Sequence, residues 1–326
     1  MEQPAEQIKF AIVGYGHIGK RYASILAKNT DAALVAIVDV VALNQTDIPN
    51  IMLFPSLEAL LQSNIAVDII VIATPNGLHA AQAISCLKSG KHVVIEKPVA
   101  LNTADANEIY KVAATHKKEV FPVFQNRFAH SSVWLKEVLS AKKLGEIYMV
   151  QFNCFWNRDE RYYQPNSWHG SKVMDGGSLF TQFSHFIDTL HWFFGDLEQV
   201  KANLSNCANR QNVEFEDSGV VTFDLKSGGQ GSLQFTTAVW DKNLESTITV
   251  IAQNGTIKIG GQYLDEVIYC HAKEVFVPTF DALKVSNHQK LVEDIIYRLK
   301  NHKSASISKE EVLAVIDVIE QIYAVK

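Results

Sequence analysis

The chain has 326 residues, 47% of them hydrophobic, and 30 Lys and Arg against 35 Asp and Glu give a formal net charge of −5. That is enough apolar material for a sizeable core and, at this length, for two domains in preference to one. The acidic balance supplies no basic field for nucleic acid or an anionic membrane surface, and no apolar run approaches the ~20 residues that span a bilayer.

The opening segment Met1 to Gln7 is polar and acidic, unlike a secretory signal, so a cytoplasmic location is expected. The first apolar run, Ile8 to Val13, reads as a strand and leads directly into Gly14-Tyr15-Gly16-His17-Ile18-Gly19, after which Lys20 to Lys28 has a helical pattern. This is the fingerprint of a dinucleotide-binding turn. Gly14 permits the tight turn, Gly16 lets backbone approach a pyrophosphate, Gly19 allows the helix to pack closely on the strand, and the helix N-terminus offers its N–H groups to the phosphates. A second strand, Ala33 to Val38, ends in Asp39 at the spacing of the acid that bonds the adenosine ribose hydroxyls. Asp39 repels a 2′-phosphate and no Lys or Arg follows it closely, so NAD is favoured over NADP; a plain strand-end turn is the alternative role for this residue.

The alternation continues. A short strand, Ile51 to Phe54, precedes a helix capped by Ser56. Val67 to Ala73 and a helix from Leu78 to Ser89 follow, then strand His92 to Ile95, helix Thr103 to Lys117 and strand Val120 to Phe124. Thr74 or Asn76, after the fourth strand, either caps the following helix or touches the cofactor. Glu96-Lys97-Pro98 closes the fifth strand, and a lysine there stands where a nicotinamide belongs, with its pKa lowered by partial burial and by a cationic neighbour.

Beyond Gln125 the texture changes. A helix over Val133 to Ser140, a long strand from Ile147 to Phe155, and strands over Ser218 to Leu225, Gly231 to Thr237, Ser246 to Ile251 and Thr256 to Ile259 describe an antiparallel sheet, with Asn254-Gly255 as a hairpin turn. Helices are expected over Gly177 to Phe194, Val285 to Lys300 and Lys309 to Tyr323. The fold class is therefore α/β: an N-terminal Rossmann dinucleotide-binding domain (residues 1–125) and a C-terminal α+β domain (residues 126–326) with a mainly antiparallel, open-faced sheet.

In the helix after Asp175-Gly176-Gly177, a spacing of ~100° per residue puts Phe180, Phe183, Ile187, Leu190 and Phe194 on one stripe and Thr181, His185, Asp188 and Trp192 on another. The expectation is one buried face and one polar line, with His185 able to accept an alcohol proton near neutral pH. Asp188 reads as a helix-surface or packing acid. The loop Trp156 to Gly170 combines Arg158 and Arg161, able to grip carboxylate or phosphate, with Tyr162, Tyr163 and Trp168, able to stack on a sugar or cofactor; ordinary surface packing is the alternative. The cysteines, Cys86, Cys154, Cys207 and Cys270, are widely spaced with no CxxC pair, so reduced thiols and no metal site are expected.

Taken together, the glycine loop, Ala73-Thr74-Pro75-Asn76-Gly77-Leu78-His79, Glu96-Lys97-Pro98, Asp175-Gly176-Gly177 and His185-Phe186-Ile187-Asp188 resemble the glucose-fructose oxidoreductase, inositol dehydrogenase and MocA family over nearly the whole chain. Phe124 to Phe128, Phe155 to Arg158, Arg161 to Tyr163, Trp168 to Gly170, Val213 to Asp217 and Lys242 to Glu245 are most similar to sugar-nucleotide oxidases acting on UDP-N-acetylglucosaminuronic acid. The resemblance implies oxidation of the 3-hydroxyl of a pyranose with hydride transfer to NAD, Lys97 holding the hydroxyl and His185 serving as base. It further implies cofactor contacts from Gly14 to Gly19, Asp39, Thr74, Pro75, Asn76, His79, Glu96, Lys97, Gln125 and Trp168, and substrate contacts from Lys97, Arg127, Arg158, Tyr163, Thr181 and His185. A homodimer or homotetramer built on the open sheet face is expected. Two positions depart from the family pattern: Thr181 where inositol dehydrogenases carry an acid, and His169 where an arginine follows the tryptophan. The resemblance also leaves open a dehydrogenase of a free sugar, deoxy-sugar or inositol, an NAD-using glycoside hydrolase, and a non-catalytic NAD-binding regulator.

Overall fold

The computed structural model describes residues 7–43, 50–165, 167–208, 210–280 and 285–325; of the opening segment only Gln7 falls within them. The chain divides into two compact units, Met1–Val123 with His288–Val312, and Phe124–Asn287 with Leu313–Lys326. The first break lies close to the expected one after residue 125, but a C-terminal segment returns to the first unit, which an uninterrupted second domain over residues 126–326 does not anticipate.

The first unit is built on a six-stranded parallel sheet: β1 (Ile8–Val13), β2 (Ala32–Val38), β3 (Met52–Phe54), β4 (Ile69–Ile72), β5 (His92–Ile95) and β6 (Val120–Pro122). Its order is β3-β2-β1-β4-β5-β6, so the direction of winding reverses between β1 and β4. Ligands of such sheets bind beyond the carboxyl ends of the strands at that reversal. All four residues of β4 are buried, as expected for an aliphatic strand covered on both faces. The crossovers carry α1 (His17–Leu26), α2 (Leu57–Leu61), α3 (His79–Lys88) and α4 (Thr103–His116). The Ser56 hydroxyl accepts from Ala59 N at the start of α2, and Asn102 Oδ1 accepts from Asp105 N at the start of α4, each meeting a backbone donor that the helix cannot satisfy itself.

The second unit opens with a 3₁₀ turn over Gln125–Phe128 and α5 (His130–Ser140). Its sheet holds β7 (Ile147–Phe155), β8 (Leu197–Ser205), β9 (Ser218–Leu225), β10 (Gln230–Thr236), β11 (Glu245–Ala252), β12 (Gly255–Gly260) and β13 (Glu266–Ala272), in the order β13-β12-β11-β7-β10-β9-β8. Every pairing is antiparallel except β7 with β10. The edge strands β8 and β13 are not anticipated by the sequence, because their half-exposed residues lack the clean alternation of the inner strands.

One face of this sheet packs on a helix. That helix begins as a π turn over Leu179–Phe183 and continues as α6 (Ser184–Phe194). The Phe183 ring lies 5.1 Å from Phe235, Phe194 lies 6.4 Å from Phe152, and Trp156 contacts both Phe183 and Phe186. The other face leaves Met149, Val220, Ile251, Ile268 and Tyr269 exposed.

The chain then enters α7 (Asn287–Lys300), which from His288 onward belongs to the first unit, and α8 (Lys309–Ala324). Leu291 and Ile295 of α7 line a crevice with Phe121 and Pro122 of β6, and the His288 ring meets Tyr22 of α1 edge to face at 6.0 Å. In the second unit Tyr323 of α8 stacks on Phe180 and donates from its hydroxyl to Glu216, whose carboxylate also accepts from Ser178 N at the start of the π turn.

Candidate active site

In the first unit the three glycines behave as their spacing predicts. Gly14 has φ +90°, and a Cβ there would stand 2.5 Å from the Ala73 carbonyl oxygen, so no side chain fits between β1 and β4. A Cβ on Gly19 would fall 2.0 Å from the Gly14 carbonyl oxygen. Gly16 differs: it is exposed and a Cβ would meet nothing within 4 Å. It also precedes α1 with no side-chain cap and no acidic residue in the first turn. An open glycine beside uncapped helical N–H groups is the cradle a pyrophosphate fits.

Asp39 lies just past the end of β2. Its Oδ2 accepts from Tyr15 N at 2.6 Å and its Oδ1 from Val41 N at 2.8 Å, so the carboxylate is fixed beside the glycine loop. His17 and Ile18 lie in the first turn of α1, His17 exposed and within 3.2 Å of Arg21.

Other residues expected at the cofactor are used by the first unit itself. His79 is fully buried, and its ring nitrogens lie 2.7 Å from the Pro98 carbonyl and 2.9 Å from that of Thr74. It thus ties together the turns that follow β4 and β5, and burial pulls its pKa below the usual imidazole range. Thr74 caps no helix; its hydroxyl donates to Gln82 of α3. Pro75 and Asn76 begin the following 3₁₀ turn without a side-chain cap, Asn76 buried. The Glu96 carboxyl group is turned inward, where Oε1 accepts from the Tyr22 hydroxyl at 2.9 Å and lies 3.8 Å from His288 Nε2. Burial raises Glu96 and pushes His288 down to about 3, so the histidine is neutral at physiological pH and the contact is no ion pair. Lys97 is half-buried immediately beyond β5, and the Lys97–Pro98 peptide is cis.

In the second unit, the polar stripe expected to face outward is buried. Thr181, His185 and Asp188 are all enclosed, and only Trp192 is half-exposed. The reason is a set of partners that residue spacing along one helix does not reveal. Gln125 Nε2 lies 2.8 Å from His185 Nε2. Arg127, expected at the substrate, directs Nε and Nη2 onto both Asp188 oxygens at 2.6–3.1 Å, with its guanidinium 5.7 Å from the Phe124 ring and 5.3 Å from Trp192. The 3₁₀ turn is thus fastened to α6 by two rungs. Complementary spacing, Gln125 to Arg127 and His185 to Asp188, is the signal that could have found them.

The loop after β7 is held in the same way. Arg158 stands between the Trp156 ring at 4.9 Å and the Tyr162 ring at 5.3 Å, and donates to Gln182 Oε1, the Asn157 carbonyl and Asn243. Gln182 in turn donates to the Tyr162 hydroxyl, which also bonds Thr181, while burial raises that phenol to about 12. Thr181 therefore faces Tyr162. Every printed partner of Arg158 is a neutral oxygen, whereas Arg161 is exposed and occupied by Asp159. Tyr163 does not present itself to solvent as a sugar platform would: it is 2% exposed and packs on Tyr162 and Phe215. Trp168 is half-buried and stacks on His169 at 4.0 Å.

Gly16→Ala should leave stability nearly unchanged and weaken NAD binding, whereas Gly19→Ala should destabilise by about 1–3 kcal/mol because backbone must move. Urea unfolding and NAD titration of both variants check this, and equal loss of stability in the two would contradict it. Asp188→Ala should destabilise by about 3–5 kcal/mol, since it strands a buried guanidinium; thermal unfolding that matches the parent chain would show that Arg127 has another counter-charge.

Comparison with known proteins agrees with both halves of the chain. Residues 8–124 match the oxidoreductase family with NAD-binding Rossmann fold, and residues 133–258 match the GFO/IDH/MocA C-terminal domain. The structure is similar to the WlbA dehydrogenase from Bordetella pertussis, solved with NADH and UDP-GlcNAcA, at TM-score 0.88 and 31% identity over 98% of this chain and 96% of that one. It is likewise similar to the WlbA dehydrogenase from Chromobacterium violaceum, also solved with NADH and UDP-GlcNAcA, at TM-score 0.89 and 29% identity over 100% and 94%. Among curated sequences, the scyllo-inositol 2-dehydrogenase (NADP(+)) IolW of Bacillus subtilis is 30% identical over 67% of this chain and 60% of its own length. The chain spans about 60% of the curated relatives it matches most strongly. No helix among the described residues is long and apolar enough to cross a membrane. The glycine cradle, Asp39 and the two matching domain models together make the first unit an NAD-binding Rossmann domain, and the chain belongs to the glucose-fructose oxidoreductase, inositol dehydrogenase and MocA family of oxidoreductases.

Proposed function

We propose that this protein is an NAD-dependent dehydrogenase that oxidises the 3-hydroxyl of UDP-N-acetylglucosaminuronic acid to a ketone. The observation that carries the reading is the likeness, over almost the whole chain, to two dehydrogenases solved with NADH and UDP-GlcNAcA. Bound NAD supplies the hydride acceptor. The chain's own residues bind, orient and move a proton. Lys97, half-buried beyond β5, holds the reacting hydroxyl and stabilises negative charge as its O–H bond breaks. His185 takes that proton, while the electron pair of the adjacent C–H bond leaves with the hydride.

Arg158 supports an acidic substrate. A half-buried guanidinium clasped by two aromatic rings and neutral oxygens keeps an unneutralised charge, and a uronate carboxylate or a diphosphate is its natural counterpart. An inositol reading has the Bacillus relative in its favour. Against it, Thr181 supplies a hydroxyl bonded to Tyr162 where inositol dehydrogenases carry an acid.

Lys97→Met should bind NAD with nearly unchanged affinity while turnover falls about 10²- to 10⁴-fold, read from reduced-nicotinamide absorbance with UDP-N-acetylglucosaminuronic acid; near-normal turnover would end the proposed mechanism. Arg158→Met should raise KM for this acid at least tenfold, about the 1.4 kcal/mol of one charge-assisted hydrogen bond. Inhibition by UDP should report whether the lost contact is to diphosphate or to carboxylate. Parent-like kinetics and inhibition in Arg158→Met would remove the anion-binding role.

A further inference from the structure

We propose that Gln125 is a positioning residue for His185, fixing its ring proton on Nε2 so that Nδ1 is the atom that accepts the substrate proton. The inference rests on the reading of His185 as the base. Both side chains are 6% exposed, and Gln125 Nε2 lies 2.8 Å from His185 Nε2. The Gln125 amide oxygen, also buried, has no hydrogen-bond partner among the described residues.

Two nitrogens at that separation share one hydrogen in one of two ways. Either the amide donates to a bare ring nitrogen, which leaves the neutral ring's proton on Nδ1 and the amide oxygen unmet, or the amide turns by 180° and its oxygen accepts the ring's Nε2–H. Only the second arrangement gives the buried oxygen a donor and leaves Nδ1 with the lone pair a base requires. The step is then complete in its atoms: the hydroxyl O–H bond breaks, its proton forms a bond to Nδ1, and the imidazolium keeps Nε2–H on the Gln125 oxygen.

The neighbouring structure holds Gln125 to this task. Its 3₁₀ turn is anchored two residues on by Arg127, whose bidentate pairing with Asp188 sits three residues beyond His185 on α6. That pair is neutral overall. The other charged or titratable groups on elements packed about α6 are Arg158 and Tyr162 of the loop after β7, and Lys136 of α5, whose ammonium bonds the Trp192 carbonyl. None of them is printed as a partner of Gln125, so the amide is the group that selects the tautomer.

The test combines nitrogen-15 spectra of histidine-ring-labelled protein, in which His185 is assigned by its loss in His185→Ala, with pH profiles of turnover. The parent chain should show His185 protonated on Nε2. Gln125→Leu should lose that preference and lower kcat about 10- to 100-fold with KM for NAD unchanged. Gln125→Glu, whose carboxylate restores the acceptor and stabilises imidazolium, should recover the Nε2–H form and move the acid limb of kcat upward by about one pH unit or more. An Nδ1–H ring in the parent chain, or a ring spectrum and acid limb indifferent to both substitutions, would overturn the proposal. If His185→Ala turns over normally while the tautomer still follows residue 125, the pairing stands and the assignment of His185 as base falls.

Discussion

A single constraint governs the second unit: the helix at its centre buries polar side chains along with apolar ones. Thr181, Gln182, Ser184, His185, Asp188 and Thr189 are all enclosed, and a buried polar atom without a partner costs about 1–3 kcal/mol. Each must therefore be met from elsewhere in the chain. Gln125 and Arg127 come from the entry turn, Tyr162 and Arg158 from the loop after β7. The irregular segments around α6 are where they are because its side chains demand hydrogen bonds there. The π turn belongs to the same arrangement, since an extra residue in the turn reorients Thr181 and Gln182 relative to the regular helix that follows.

The first unit solves a related problem with backbone. A parallel sheet closed on both faces admits a ligand only at the carboxyl ends of its strands, and there β1 and β4 approach so closely that Gly14 and Gly19 must lack side chains. His79 then pins the turn after β4 to the turn after β5, which places Lys97 on a rigid support. Polar burial here is structural in the strict sense: His79 and Glu96 hold the shape of the strand ends and leave the open glycine to the ligand.

These differences explain what was legible in the sequence. Strand order, the glycine loop and Asp39 could be read because each depends on local pattern: aliphatic runs, a turn that only glycine permits, and a fixed distance to the next strand end. Lys97 could be read because its position follows from the strand before it. The burial of His185 and Asp188 could not, since a 100° helical wheel separates polar from apolar residues but says nothing of a turn, remote in sequence, that supplies the missing donors. The assignment of Arg127 to the substrate failed to foresee Asp188 for the same reason. Tyr22, Glu96 and His288 lie far apart in the chain, and no local periodicity announces such a cluster. The edge strands were hidden by half-exposed, mixed composition.

The return of α7 bears on how the molecule is made. The NAD-binding unit is not one continuous stretch of chain: Leu291, Val292, Ile295 and Ile296, with His288 against Tyr22, belong to its interior and follow the entire second sheet in sequence. On the ribosome, the part translated first must wait for one of the last helices before its core is closed. The second unit can gather its own sheet in the interval. A fragment cut after Val123 would carry the whole glycine cradle and all six strands, yet expose the apolar surface that α7 covers, so the smallest self-sufficient cofactor domain of this protein is a spliced one.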